Sequence, residues 1–486
     1  MTSDFEPPPK KLMILAAVGG VVTAAIAIAG LNYWSTSLNR FQKPAGETPQ
    51  SSITPQRTSS VEQLEVDPKQ LAQLDAESLV LPGDPVNPKE VQISFIHYIA
   101  PNLGELTAAE MAIARQAWSY FERNWNDETG LVNSVDGFSS VTLWDQAAAI
   151  AALVSAQELD IVSASEFDQK MGTMLQTLAT MPLYNNELPN KVYNSKTLLP
   201  VNYGQLEQRE EIGWSAIDLG RMALWLKIVG TKYPQWRSPT EKVWESWQVK
   251  RLTRKGEMYG TSVVDGKEQY HQEGRLGYGN YAAYGLQLWG LNVNAALEYQ
   301  ANTAYANLYG QGIPYDKRDY ETSGANNYVL SQAYILDGIE TGFQSLPKVF
   351  ADRILAAQEA RYRATNQLTA VSEDNLDRPP YFLYNTLFAN GKPWVTITDT
   401  REEHQNLRFV STKAAIGWHV LYNTDYTRKL ADFVQTNLKS DHGWYNGYYE
   451  SLAQPNTSLT ANNNGLILTS LLYKQVGKPL TVWAGL

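Results

Sequence analysis

Six times along this chain, a loop rich in Gly, Tyr, Trp and carboxylates runs into a helical stretch rich in small residues. The junctions are GFSSVTLWDQAAAIAAL (137–153), REEIGWSAIDLGRMALWL (209–226), QEGRLGYGNYAAYGLQLWGL (272–291), YETSGANNYVLSQAYIL (320–336), TREEHQNLRFVSTKAAIGWHVL (400–421) and NTSLTANNNGLILTSLLY (456–473). More polar helical stretches lie between them. This alternation is the pattern of an all-α fold, an (α/α)6 toroid. Its inner ring is crowded enough to need Ala, Gly and Ser, its outer ring faces water, and one rim of loops forms where the inner helices begin.

Helical periodicity predicts twelve helices, at 107–125, 142–157, 163–179, 212–229, 238–250, 281–296, 297–309, 324–340, 346–364, 411–422, 424–438 and 460–475. The loops entering the inner helices are the long ones, and long loops in a compact domain usually carry function. Two of them contain alternating apolar runs, MYGTSVV (258–264) and PWVTITDT (393–400), that predict small β-hairpins.

The N-terminal part is organised differently. Residues 12–31, LMILAAVGGVVTAAIAIAGL, carry no charge and are long enough to span a bilayer as a helix. Lys10 and Lys11 precede them, which places the N-terminus (1–11) in the cytoplasm and the rest beyond the membrane. A cleaved signal peptide ending near Ala27 or Ala29 is the competing reading. The expected organisation is a membrane anchor over 12–34, a disordered Pro-, Ser- and Gln-rich linker over 35–90, and a toroid domain over 91–486, in the periplasm or outside the cell.

Composition narrows the function. The chain has no cysteine, which excludes disulfides and thiol chemistry. A net charge of −10 without a basic block argues against a nucleic-acid partner. The five histidines show no HxH or HExxH spacing, so neither a catalytic metal nor another cofactor is expected. The 14 Trp and 28 Tyr outnumber the 12 Phe, and polar-tipped rings suit the stacking of sugars. Trp144, Trp214, Tyr278, Tyr281, Tyr284, Trp444, Tyr445 and Tyr448 are the candidate sugar-binding rings; rim packing is the competing reading. Hydrolysis of a glycosidic bond needs two carboxyl groups, one to protonate the leaving oxygen and one to activate water or attack the sugar. Glu273, between Gly-rich turns, Glu211, at the start of an inner helix, and Asp145, on an otherwise apolar helix, are the candidate catalytic acids. Helix capping is the ordinary alternative for each.

The segments VNSVDGFSSVTLWDQAAAIAAL, EIGWSAIDLGRMALWL and DHGWYNGYYES resemble a family of exported bacterial proteins, frequent in cyanobacteria, known as a domain of unknown function. That family is similar in architecture to the six-hairpin toroid glycosidases, including the glucoamylase-like glucanases. The resemblance covers roughly residues 91–480 and implies acids on the loop rim. Three functions follow as expectations: a membrane-anchored glycoside hydrolase acting on an envelope or exopolysaccharide glucan, a non-catalytic glycan-binding protein of polysaccharide export or assembly, and a polysaccharide lyase using His271, Arg275 and Tyr278.

Overall fold

The computed structural model describes Pro101 and residues 103–343 and 345–485. The 12–34 span, the 35–90 linker and residues 91–100 of the toroid domain lie outside the described residues. Among the described residues no helix is long and apolar enough to cross a membrane.

The described residues contain twelve α-helical segments: α1 (Ala108–Asn124), α2 (Leu143–Glu158), α3 (Ala164–Thr180), α4 (Ala216–Lys232), α5 (Arg237–Glu245), α6 (Tyr278–Gln287), a single turn α7 (Tyr320–Ser323), α8 (Ser331–Leu336), α9 (Ser345–Thr365), α10 (Thr412–Tyr422), α11 (Asp425–Asn437) and α12 (Ala461–Val476). A π-helical turn, Asp337–Thr341, continues α8. Helices α2, α4, α6, α8, α10 and α12 pack each on the next, and α12 packs back on α2, so the inner ring closes. Helices α1, α3, α5, α9 and α11 lie outside it.

Local chemistry explains where the inner helices begin. Thr142, Ser215 and Thr460 sit in extended backbone, and each side chain accepts the backbone N–H three residues on, from Asp145, Asp218 and Asn463. The strands Ser140–Thr142 and Phe409–Ser411 run directly into α2 and α10, each as part of a three-stranded antiparallel sheet. Such small sheets hold the rim loops in place.

The small residues are needed where inner helices touch. A Cβ on Gly285 would stand 2.0 Å from the Gly220 carbonyl oxygen, and one on Gly220 would stand 2.4 Å from that of Ala282. The α4–α6 pair therefore approaches backbone to backbone. Gly285→Ala should cost about 1–3 kcal/mol through overpacking, read as a lower urea midpoint with an unchanged slope. An unchanged midpoint would mean that the helices separate freely.

Four expectations need correction. The stretch 297–309 is not an outer helix: Thr303–Leu308 and Gln311–Asp316 form an antiparallel hairpin that packs on α9. Tyr309 and Gly310 both take positive φ, 53° and 80°, as a two-residue hairpin turn requires. Alternation in TAYANL therefore outweighs the weak helical pattern. The helix expected at 281–296 ends at Gln287, followed by Gly290 at φ 82°. The helix expected from 324 begins at Ser331, because Val329 is hydrogen-bonded to the backbone of Phe388. The one expected over 238–250 stops at Glu245. The 258–264 hairpin is present as Glu257–Val264 paired with Lys267–Glu273. In the 393–400 region Lys392–Pro393 pairs with Phe388–Ala389, and Thr396–Ile397 with Tyr384–Asn385.

Candidate active site

A polar cluster occupies the inside of the ring beneath the loop rim. Its acids begin with the third residues of α2 and α4, Asp145 and Asp218, each 1% exposed. One oxygen of Asp145 accepts the Thr142 hydroxyl at 2.7 Å, and the Ser134 hydroxyl also lies beside the carboxyl. The Ser215 hydroxyl lies beside Asp218. Burial pushes the Asp145 carboxyl up to about 6, and pushes Asp218 well above the carboxylate range, where Glu273 and Asp145 add like-charge repulsion.

Arg221, buried on α4, ties four inner helices together. Its guanidinium lies 4.4 Å from the Trp144 ring and donates to Asn462 Oδ1 at 3.1 Å. The Asn462 and Gln332 side-chain amides exchange hydrogen bonds of 2.7 and 3.0 Å. Arg221 and Lys413 both exert attraction on Asp145. Lys413, buried on α10, lies 3.6 Å from Glu373 and 3.2 Å from Asp374. Glu373 also accepts the Tyr278 hydroxyl at 2.6 Å and the Ser372 hydroxyl at 2.8 Å. Burial pushes Asp374 up to about 7 against the pull of Lys413. Carboxyl groups in contrasting surroundings thus meet around one lysine.

The three candidate acids separate. Asp145 belongs to this cluster. Glu273 is buried nearby, but its oxygens are bound by the Ser215 hydroxyl at 3.0 Å and the Ala216 N–H at 2.5 Å, at the start of α4. A Cβ on Gly260 would fall 2.4 Å from Glu273 Oε2, so that glycine makes room for the carboxylate. Glu211 is not brought to the cluster. It stays on the rim loop, paired with Arg209 at 2.5 Å and accepting the Asn185 N–H at 3.2 Å.

Most of the candidate sugar-binding rings are buried: Trp144, Trp214, Tyr278, Tyr281 and Trp444. Their polar edges reach Asn462 (Trp144), the Tyr259 carbonyl (Trp214), Glu373 (Tyr278), Glu340 (Tyr281) and the Ile113 carbonyl (Trp444). A partnered N–H or O–H lets a large ring be buried without a desolvation penalty. Tyr284, Tyr445 and Tyr448 are half-buried, and Tyr448 packs edge-on to Phe433 with centroids 5.1 Å apart. The residues named for a lyase are also engaged: His271 Nε2 pairs with Ser262 Oγ at 2.8 Å, and Arg275 donates to Gln272, Ser323 and two backbone carbonyls.

Sequence reasoning missed Glu373, Asp374, Lys413, Arg221 and Asn462. The available signal was a lone cation inside an apolar inner helix, Lys413 in TKAAIGWHVL and Arg221 in DLGRMALWL. Such a charge must find a counter-charge inside the ring. Among the described residues no group of three or more His, Cys, Asp or Glu could hold a metal ion.

The raised acids set a pH dependence. Asp145, Asp337 and Asp399 are pushed up to about 6 and Asp374 to about 7, above the usual value of 3.8. The folded state therefore binds protons more tightly than the unfolded chain, and the stability this confers is lost as pH rises through about 6–7. His271 and His419, lowered mainly by burial, act in the opposite sense below about pH 6.5. Stability should rise by about 1 kcal/mol from pH 8 to pH 6.5. Thermal melts across that range check the sign.

The fold matches known glucanases at low identity. The endo-β-1,2-glucanase of Chitinophaga pinensis, solved with sophorotriose and glucose, superposes with a TM-score of 0.56 at 12% identity, over 78% of this chain and 97% of that one. The endo-β-1,2-glucanase of Talaromyces funiculosus, solved with sophorose, gives 0.54 at 12% identity, over 78% and 85%. No curated protein matches the sequence. The family model described as a protein of unknown function, DUF3131, matches residues 112–477, and the chain belongs to that family.

Proposed function

We propose that this protein is a glycoside hydrolase acting on a glucan, with its catalytic carboxyl groups in the cluster around Lys413. Asp145 is the proton donor and Glu373 the partner carboxylate. The observation that carries this reading is the contrast between the two. Asp145 is buried on an apolar helix and holds its proton up to about pH 6. Glu373 is 3.6 Å from the Lys413 ammonium and accepts two hydroxyl donors. Environments that separate two carboxyl groups in this way divide the acid and base roles. The toroid shared with glucan-cleaving enzymes supports the substrate class by analogy of fold. β-1,2-Glucan is accordingly the first substrate to test, followed by β-1,3-, β-1,4- and α-1,4-glucans.

A location outside the cytoplasmic membrane is part of the proposal. It rests on the charge-free stretch 12–31 preceded by Lys10 and Lys11. The test of function is release of new reducing ends by the purified full-length protein. No release from any glucan in the series would remove the hydrolase reading.

A second reading, glycan binding without turnover, is favoured by one observation. Asp145, Glu373 and Lys413 are each 1% exposed. Oligosaccharide binding without reducing-end release would select it.

A further inference from the structure

The rim carries an open pocket away from the carboxyl cluster. It has a volume of about 410 Å³ and lies between α7 and the 389–403 segment, on loops that lead into α8 and α10. Its size is that of a small-ligand site. Tyr320, Asn390, Lys392 and Arg401 line it together with Glu321 and Glu403.

We propose that this pocket is a binding subsite for a neutral oligosaccharide, holding the part of a glycan chain that extends beyond the reacting bond. The inference rests on the glycan reading above and adds to it a place on the protein.

Three observations carry it. Four of the five charges lining the pocket are already paired, Arg401 with Glu321 at 2.8 Å and Lys392 with Glu403, and the fifth, Asp319, accepts the Thr322 N–H and hydroxyl as the cap of α7. Paired charges leave little net attraction for an ionic ligand, yet they offer donors and acceptors to hydroxyl groups. Exposed pairs of this kind contribute little to stability, so exchanging them for ligand contacts is cheap. Second, the wall is fixed. Asn390 donates its amide to Asn326 Oδ1 at 2.7 Å and its backbone N–H to Asn327 Oδ1 at 2.7 Å, and Asn326 in turn donates to the Asp399 carbonyl at 3.1 Å. A wall held in this way is ordered before a ligand arrives. Third, Tyr320 supplies an aromatic ring, at present covered by the Arg401 guanidinium at 3.8 Å. A sugar face can take the place of a guanidinium on such a ring, since both stack flat.

The test is calorimetric binding of linear glucan oligosaccharides of two to six units, in the four linkages named above, to the full-length protein. Wild type is compared with Tyr320→Ala and, separately, with Lys392→Ala, whose exposed side chain bears little on folding. The expected result is weaker binding of the longer oligosaccharides by both pocket variants, roughly tenfold for loss of the ring, with unchanged melting temperatures. Wild-type affinity in both pocket variants would overturn the subsite and leave the glycan reading standing. No binding of any oligosaccharide by wild type would overturn both.

Discussion

Asp145→Asn should abolish glucan hydrolysis, with a loss on the order of a thousandfold or more, as expected for removal of a general acid together with its charge. The amide has the shape of the carboxyl, and its oxygen can still accept the Thr142 hydroxyl that bonds Asp145 at 2.7 Å. The fold should therefore persist, and the melting temperature separates lost chemistry from lost structure. Glu273→Gln is the informative contrast. Glu273 binds the Ser215 hydroxyl and the Ala216 N–H at the head of α4, and both bonds serve the fold. That variant should keep turnover within a few-fold. If Glu273→Gln is inactive while Asp145→Asn is active, the acid lies at the end of the 267–273 strand and the assignment made here is reversed.

Lys413→Met should be among the most destabilising single substitutions in the toroid, costing about 3–5 kcal/mol near pH 8. The ammonium is 1% exposed and faces two carboxyl groups, Glu373 and Asp374, that are as deeply buried. Methionine fills much of the same volume but leaves those carboxylates without a counter-ion. The loss should shrink on acidification, because Asp374 already titrates near 7 and gains a still higher proton affinity once the lysine is gone. Urea midpoints at pH 8 and pH 5.5 check both statements. Equal midpoints for variant and wild type at pH 8 would mean that the pair is not held as ions.

How far the sequence reached can be judged residue by residue. The six inner helices were legible by their small apolar residues, and three of them also by one local code: a Ser or Thr cap with an acid or amide three residues on. Thr142 with Asp145, Ser215 with Asp218 and Thr460 with Asn463 are that code in the structure. The outer helices were legible by amphipathic periodicity except at 297–309, where a two-residue turn at Tyr309–Gly310 commits the chain to a hairpin. A turn of this kind is hard to read because its first residue is a tyrosine held at positive φ.

The site was legible only in part. Asp145 could be singled out because an acid on an otherwise apolar helix is unusual. Glu273 could be singled out for its glycine-rich surroundings, but the sequence did not say that Gly260 and the head of α4 had claimed its carboxylate. Glu373 and Asp374 sit in a loop where acids are commonplace. They gain meaning only when the 373–375 strand is laid against α10, about 40 residues downstream. For the aromatics the sequence left sugar stacking and rim packing both open, and the structure buries Trp144, Trp214 and Trp444 against hydrogen-bond partners far along the chain.

The sequence by itself determined the alternation of crowded and polar helices, and with it a toroid with one loaded rim, because caps and periodicity act over a few residues. Only the tertiary structure decided which charges share the interior. Ring closure brings Asp145, Arg221, Glu373 and Lys413 together from four separate stretches of chain, and at that depth each charge is tolerable only because of the others.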